Sequence, residues 1–394
     1  MSALAKSRVP LALAAILVPA LVLAACGSSG SSSSSSASIG ASNAASTGSS
    51  GSSSSALVSD PPESPLTTDP ITQPLKARPA SGKTLVWLAC SLPSCQGDLS
   101  LGYKQAAQAL GWKFIQINYS ETDPGPQVQQ ALNDNPSYIA ITGTPPVSFA
   151  AEDAEALKRH IPIVSCFDTT APDPAKNDIY MQCLNSKGYG DEANQLTAWI
   201  TDKSGGKANV VIVNVPDYPI LNAETQAVQA GYKQDCPNCT VSVLNLSLAD
   251  VSSGQAAPKI VAYVQAHPSV NYIQATFADP ADGLPELLKA SGLASRVHIV
   301  GVEADPPSLK GIENGTISAF TNQPMVFLGW ENVDALARIS EGTSLAPYET
   351  TGDDPTWVVD SAGEAKSLLA EPSQQWAGPA GFQQEFEKLW HITS

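Results

Sequence analysis

The stretch that decides the fold class is residues 84–118, which read TLVWLACSLPSCQGDLSLGYKQAAQALGWKFIQIN. Its first part, Thr84 to Cys90, is an apolar run that predicts a buried strand. The amphipathic part Leu99–Leu110 predicts a helix, which ends at Gly111 because glycine readily adopts the left-handed conformation there. A second strand is predicted over Trp112–Asn118. A strand, a helix and a strand of these lengths predict two parallel strands joined by a crossover helix.

The same alternation continues along the chain. Further strands are predicted over Tyr138–Thr142, Ile161–Cys166, Tyr180–Cys183, Asn209–Val215, Val241–Leu246, Tyr272–Ala275 and Val297–Val302. Amphipathic helical stretches separate most of them. The predicted class is therefore α/β, with two doubly wound parallel-sheet lobes in tandem. In such sheets ligands bind at the carboxyl ends of the strands, so two facing lobes predict a binding cleft between them.

The N-terminus carries an export signal. Two basic residues precede an apolar run, Val9–Leu23, that is too short for a comfortable membrane span. The run ends in the sequence LAAC at residues 23–26, which resembles a bacterial lipoprotein signal. The resemblance implies that residues 1–25 are removed and that Cys26 becomes a lipidated N-terminus. An ordinary secretory signal is the alternative.

Residues 26–80 are predicted to be a disordered tether. Residues 27–56 are almost entirely Ser, Gly and Ala, and residues 60–79 are rich in proline. Neither part has the apolar content needed for a core. A flexible chain of this length has a reach on the order of 40 Å. With the lipid anchor, it would hold a folded domain at the outer face of the cell membrane.

The charge excludes some partners. The chain has 21 basic and 37 acidic residues, a net charge of −16. Loss of two basic residues with the signal leaves 19 against 37, or −18. This balance opposes nucleic-acid binding, and it provides no basic patch for anionic lipid.

Six cysteines follow Cys26, and an even number in an exported chain predicts up to three disulfides. Of the 15 possible pairings we predict the nearest-neighbour one, Cys90–Cys95, Cys166–Cys183 and Cys236–Cys239. The CPNC sequence at residues 236–239 follows a helical stretch and precedes a strand, the reverse of a thioredoxin-like site. A zinc site would need a second ligand pair, which the sequence lacks. A structural bridge is therefore predicted, and no metal or cofactor.

Five segments together resemble a known family. In chain order they are GYKQAAQALG (102–111), IPIVSCFD (161–168), AGYK (230–233), VGVE (300–303) and IENGTISA (312–319). They resemble type I periplasmic solute-binding proteins of the ribose and sugar-binding branch, over Lys83–Leu345. Thr356–Asp360 resembles the last inter-domain strand of that family.

The resemblance implies two lobes joined by a hinge that the chain crosses three times, near Cys183, Asn322–Gln323 and Thr356. The N-terminal lobe would comprise 81–183 and 323–355, and the C-terminal lobe and tail 184–322 and 356–394. A monomer of this kind captures a solute, closes around it and docks on the permease of an ABC importer. A membrane sensor in place of the permease is a related alternative.

An extracytoplasmic hydrolase is the alternative from another class. Asp168 and Glu303 would have to act as an acid/base pair across the cleft. The folded region contains no GxSxG, HExxH or Walker sequence, and the chain has only four histidines. We therefore predict a binding protein without catalytic activity.

The resemblance also implies ligand-binding residues, which are polar side chains at strand ends and in the hinge. They are Asp168, Glu303, Asp279, Thr142, Asn322 and Gln323. Carboxylates and amides at such positions hydrogen-bond sugar hydroxyls.

Other family positions differ. Thr169 and Val228 stand where arginines are expected, and Gln96, Cys95 and Val251 stand where aromatic rings are expected. We retain Gln96 as a candidate ligand-binding residue. Three aromatic residues near strand ends could supply replacement rings: Tyr218, Phe277 and Phe320.

Without the expected arginines, the cleft carboxylates lack their usual partners, and a buried unpaired charge is costly. Three interpretations are then open. The ligand supplies the positive charge, water pairs with the carboxylates, or the alignment is locally wrong. The expected solute is therefore sugar- or polyol-like, with a cationic or amine-bearing solute as the alternative.

Several large aromatic residues are not assigned to the cleft. Trp87 and Trp330 are predicted to lie in the core. Phe382, Phe386 and Trp390 have the spacing of one helix face, which would pack on a lobe or meet a partner.

Overall fold

The computed structural model describes residues 67–92, 94, 97–177, 179–352 and 354–392, and these contain two sheets. The first sheet has five parallel strands in the order β2-β1-β3-β4-β5. They are β1 (Thr84–Ala89), β2 (Lys113–Asn118), β3 (Tyr138–Thr142), β4 (Ile163–Cys166) and β5 (Ile179–Cys183).

The second sheet has six strands in the order β11-β10-β9-β8-β6-β7. They are β6 (Asn209–Asn214), β7 (Thr240–Asn245), β8 (Tyr272–Ala275), β9 (His298–Gly301), β10 (Ala319–Asn322) and β11 (Trp357–Val359). The first five are parallel, and β11 pairs antiparallel with β10.

Twelve α-helices connect or flank the strands within the described residues. They are α1 (Asp98–Ala109), α2 (Gly125–Asn133), α3 (Ala150–Arg159), α4 (Ser186–Lys203), α5 (Pro219–Asp235), α6 (Leu248–Ser252), α7 (Ala256–Ala266), α8 (Leu284–Ala290), α9 (Pro306–Glu313), α10 (Met325–Ser340), α11 (Ala362–Leu369) and α12 (Phe382–Leu389). None of the helices described is long and apolar enough to cross a membrane.

The chain passes three times between the sheets, which confirms the predicted fold class of two doubly wound lobes. It leaves the first sheet after β5 and enters α4, which packs on α5. It leaves the second sheet after β10 and enters α10, which packs on α1 of the first lobe. It returns at β11 to the edge of the second sheet.

Helix α10 is buried along most of its length, from Met325 to Arg338. It crosses α1 at two glycines, Gly102 and Gly329. A Cβ atom on Gly329 would lie 2.5 Å from the backbone nitrogen of Tyr103 and 2.7 Å from the Cα of Gly102. Backbone atoms therefore meet directly at this crossing, and no side chain fits between the helices.

Two of the three predicted disulfides are present. Cys166–Cys183 joins the last residues of β4 and β5, which are register partners. Cys236–Cys239 joins the end of α5 to the start of β7, as a structural bridge would. Cys90 is also disulfide-bonded, but Cys95 lies outside the described residues.

The aromatic residues outside the cleft are core residues, as predicted. Trp87 is fully buried in β1, and Trp330 is buried in α10. The tail forms the predicted helix, α12, and Trp390 stacks on Trp330 with ring centroids 5.3 Å apart. Phe382 and Phe386 complete the cluster. The tail helix thus packs on α10 and the first lobe, and not on the C-terminal lobe with which residues 356–394 were grouped.

The tether is shorter than predicted. Ile71 and Leu75 are buried, and the backbone NH of Leu75 donates to the carbonyl of Leu389 at 2.9 Å. The segment that contains Ile71 and Leu75 therefore packs against the tail helix and α10, because burying these two apolar side chains there is favourable. Cys26, the signal segment and the rest of the tether up to residue 66 lie outside the described residues.

Candidate functional site

A cavity lies between the two lobes. The first lobe contributes residues that follow its strands, among them Leu92 after β1, Thr142 and Gly143 at the end of β3, and Phe167 after β4. The second lobe contributes Tyr189, Tyr218, Ile220, Leu221, Phe277 and Glu303, and Met325 lies in the hinge. The cavity therefore lies at the carboxyl ends of strands from both sheets, the predicted place for a ligand.

Aromatic rings dominate the cavity. Phe167 from the first lobe meets Tyr189 from the second edge-to-face, with ring centroids 5.6 Å apart. The Tyr189 hydroxyl donates to the carbonyl of Thr276 at 3.1 Å, which fixes its ring. Phe167 has a φ of +55°, a conformation that costs a non-glycine residue energy and is concentrated at functional sites. The fold thus holds these rings across the cleft.

Thr142 is held at the cavity wall by two neighbours. The Trp87 indole NH donates to its hydroxyl oxygen at 3.1 Å. The Tyr119 hydroxyl hydrogen-bonds the Thr142 carbonyl. With its oxygen already accepting from Trp87, the Thr142 hydroxyl is positioned to donate its own proton to a solute.

A second cavity adjoins the first and is acidic. The two cavities share Ser94, Glu303 and Met325. Carboxylates line the second cavity: Asp98, Asp279, Asp282, Glu303 and Asp305. Gln375 of the tail also lines it, and its amide donates to Asp98 at 2.6 Å. No lysine or arginine occurs among the described residues that line either cavity.

Burial and mutual repulsion raise the pKa of two acids of the acidic cavity, Glu303 and Asp279. The pKa of Glu303 is raised well above its ordinary value, first by burial and then by the nearby charges of Asp279, Glu192 and Asp305. The pKa of Asp279 is raised by burial, although a hydrogen bond from Ser94 opposes the effect. Its Oδ2 has no hydrogen-bond partner among the described residues. The described residues that line the cavities thus provide no cationic side chain as a counter-charge for these carboxyls.

Two further acids lie behind the cavities. Glu192 accepts from the Gln323 amide at 2.7 Å, and burial raises its pKa to about 8. Glu224 is buried, and neither of its carboxylate oxygens has a hydrogen-bond partner among the described residues. Burial raises its pKa well above the ordinary value, and the neighbouring Glu192 and Glu303 add to the rise. The acidic region thus extends from the cavity surface into the second lobe.

The structure brings together four of the predicted ligand-binding residues. Thr142, Tyr218 and Glu303 line the apolar cavity, and Asp279 and Glu303 line the acidic one. Phe277 also lines the apolar cavity, as a replacement ring would. Their contact with a solute stays a prediction.

The other predicted residues lie elsewhere. Asp168 is buried, with its Oδ1 accepting from the backbone NH of Thr170 at 3.0 Å. Asn322 and Gln323 are buried in the hinge, and none of these three lines the described parts of either cavity. Gln96 lies outside the described residues. Phe320 does not supply a replacement ring in the cleft. It is fully buried in the second lobe, where its ring packs over Gly301.

The sequence analysis missed two of the rings. Phe167 directly precedes Asp168 in a quoted segment, and its strand-end position was the available signal. Tyr189 lies in the first turns of α4, where its spacing is typical of an ordinary core residue. Neither pattern distinguishes a cleft ring from a core ring.

A family model decides what kind of protein carries this cleft. The model of the periplasmic binding protein domain matches residues 99–344, which is more than half of the chain. The chain belongs to the periplasmic binding protein family. The match includes the cavity-lining residues that follow β3, β4, β8 and β9. By sequence alone, the chain matches no curated protein.

Solved structures share the fold of this periplasmic binding protein. One is GanP, a glucose-galactose binding protein from Geobacillus stearothermophilus, with a TM-score of 0.62, 20% identity, and coverage of 73% of this chain and 99% of that one. A carbohydrate transporter from Acidothermus cellulolyticus in complex with myo-inositol has a TM-score of 0.62, 19% identity, and coverage of 75% and 100%. A periplasmic ribose ABC transporter from Conexibacter woesei has a TM-score of 0.59, 14% identity, and coverage of 76% and 98%.

Proposed function

We propose that this periplasmic binding protein is an extracytoplasmic receptor that captures a small sugar- or polyol-like solute and delivers it to an ABC importer. The observation that carries the proposal is the cavity between the lobes, lined from both sides by strand-end residues. A solute there touches both lobes at once. Its binding would therefore favour the closed form over the open one.

The structural neighbours support the class of solute and partner. Their descriptions name glucose and galactose, myo-inositol and ribose, and one is a ribose ABC transporter component.

We also propose that Cys26 is lipidated and holds the receptor at the outer face of the membrane. The LAAC sequence at residues 23–26 and the Ser- and Gly-rich segment after it support this anchor. A tethered receptor would remain within reach of a permease in the same membrane.

The proposal is tested by a thermal-shift screen of the purified protein against pentoses, hexoses, polyols and their amine-bearing analogues. A solute present at 100 times its Kd should stabilise the folded state by about 2.7 kcal/mol and raise the Tm by several degrees. We expect one solute or a small related group to do so and to be recovered unchanged. Chemical conversion of the solute, or no shift with any of them, would contradict the proposal.

A further inference from the structure

We infer that the solute carries a protonated amine, which lies beside Glu303 and Asp279 while the rest of the molecule contacts the aromatic cavity. This inference rests on the proposed receptor function and specifies its solute class.

The charge of the cleft is one-sided. Asp98, Asp279, Asp282, Glu303 and Asp305 line the acidic cavity, and the described lining residues include no lysine or arginine. Two further acids, Glu192 and Glu224, lie behind Glu303. The charge of Glu192 raises the pKa of Glu303, and the charges of Glu192 and Glu303 raise the pKa of Glu224. A desolvated carboxylate needs a counter-charge or hydrogen-bond donors. Asp98 and Asp305 accept hydrogen bonds from Gln375 and Ser308, and Asp282 is exposed. A bound cation would therefore serve as the partner of Asp279 and Glu303.

Asp279 provides the specific point of contact. It is only 8% exposed, and its Oδ2 has no hydrogen-bond partner in the described part of the chain. Asp279 lines the acidic cavity, and Ser94 from the opposite lobe hydrogen-bonds its carboxylate. The remaining oxygen is buried without a donor among the described residues, and a charged N–H donor would form the stronger bond with it.

The rings beside the acids suit the same group. Phe167, Tyr189, Tyr218 and Phe277 line the cavity that shares Glu303 with the acidic one. An ammonium group is attracted to the face of an aromatic ring within about 6 Å of its centroid. Rings and carboxylates around one space therefore favour a cation over a neutral hydroxyl group.

The rival interpretation is a neutral solute bound by protonated carboxyls. Burial raises the pKa of both Glu303 and Asp279, so protonated acids could donate to sugar hydroxyls. The two interpretations predict opposite pH dependence. A cation requires ionised carboxylates, so its affinity should rise with pH until the amine itself loses its proton. A neutral solute that accepts from protonated acids should bind more weakly as pH rises.

The test is isothermal titration calorimetry of the purified protein with matched probes. Glucosamine, galactosamine and 1-amino-1-deoxysorbitol are compared with glucose, galactose and sorbitol, and N-acetylglucosamine serves as an uncharged analogue. Each is titrated at pH values from about 5 to 7. The variants are Glu303→Gln, which removes one charge at nearly constant volume, and Glu371→Gln, an exposed acid that serves as the control.

We expect an amine to bind at least about tenfold more tightly than its neutral partner, a difference of about 1.4 kcal/mol. Its affinity should rise with pH, and Glu303→Gln but not Glu371→Gln should abolish the preference. A neutral probe that binds as tightly as its amine, or an affinity that falls with pH, would overturn the inference and leave the receptor function standing. If no probe binds, the inference fails for these solutes, and the wider thermal-shift screen decides the receptor function separately.

Discussion

Replacing Gly329 by alanine is expected to lower the free energy of unfolding by about 3 kcal/mol or more, at the upper end of overpacking effects. The new methyl carbon would lie 2.5 Å from the Tyr103 nitrogen and 2.7 Å from the Gly102 Cα. These are backbone atoms of α1, so no side chain can rotate away. Relief would require the two helices to separate, although α10 is buried along most of its length.

Urea denaturation followed by circular dichroism measures this loss, and Gly363→Ala is the matched control. A Cβ on Gly363, in α11, meets nothing within 4 Å. Alanine there should be neutral or stabilise by up to about 1 kcal/mol, because alanine is the better helix former. Equal stability of the two variants would show that α1 and α10 do not cross as closely as described.

Arg338→Met is expected to destabilise the protein by about 3 to 5 kcal/mol, the usual effect of removing one partner of a buried ion pair. Arg338 is 1% exposed and lies 2.7 Å from Asp334 and 3.2 Å from Glu349. It also donates to the carbonyl of Gln73 at 2.7 Å. Its loss leaves two buried carboxylates side by side and releases the segment around Gln73.

The destabilisation should be larger at pH 8 than at pH 5. Burial and the neighbouring Asp334 raise the pKa of Glu349, while Arg338 lowers it. Without the guanidinium that pKa rises further, so the folded variant retains its proton over a wider pH range in which the unfolded chain has already released it. Stability then falls as pH rises above the carboxyl pKa of the unfolded chain.

Lys388→Met is the control for Arg338→Met. Lys388 forms a 2.7 Å ion pair with Glu385, but both side chains are about half exposed. Such a pair contributes at most about 1 kcal/mol. If both substitutions change the unfolding midpoint equally, the ion pairs of Arg338 with Asp334 and Glu349 do not stabilise the tail and residues 69–80 as described.

The architecture was largely readable from the sequence. The alternation in residues 84–118 predicted strands and a crossover helix, and the structure has β1, α1 and β2 there. Strands and amphipathic helices follow from apolar periodicity, so the order of the elements is accessible to sequence reasoning. The return of the tail to the first lobe could not be predicted from the sequence, because Trp390 packs on Trp330, which is 60 positions away in the chain.

The ends of the folded region illustrate the limit. Ile71 and Leu75 are isolated apolar residues in a proline-rich stretch, and composition alone predicts disorder for such a segment. Their burial depends on a surface made by α10 and α12, two elements distant in sequence. Local patterns carry no information about that surface.

The candidate site was predictable in part. Strand-end positions identified Thr142, Asp279 and Glu303 as cleft residues, since parallel strands bring their carboxyl ends together. Phe167 and Tyr189 were missed because an aromatic residue has the same local pattern in a core and in a cleft. The charge imbalance was visible in the sequence as missing arginines, and the structure shows which acids share the space.

The central claim is that the solute binds between the lobes. Its most direct test is a calorimetric titration of the solute found in the screen into the wild-type protein and Glu303→Ala, with Glu371→Ala as the exposed control. We expect one solute per chain, recovered unchanged, and binding at least about tenfold weaker in Glu303→Ala with the fold intact, a loss of about 1.4 kcal/mol. Equal affinity for wild type and Glu303→Ala, or conversion of the solute during the titration, would contradict the account.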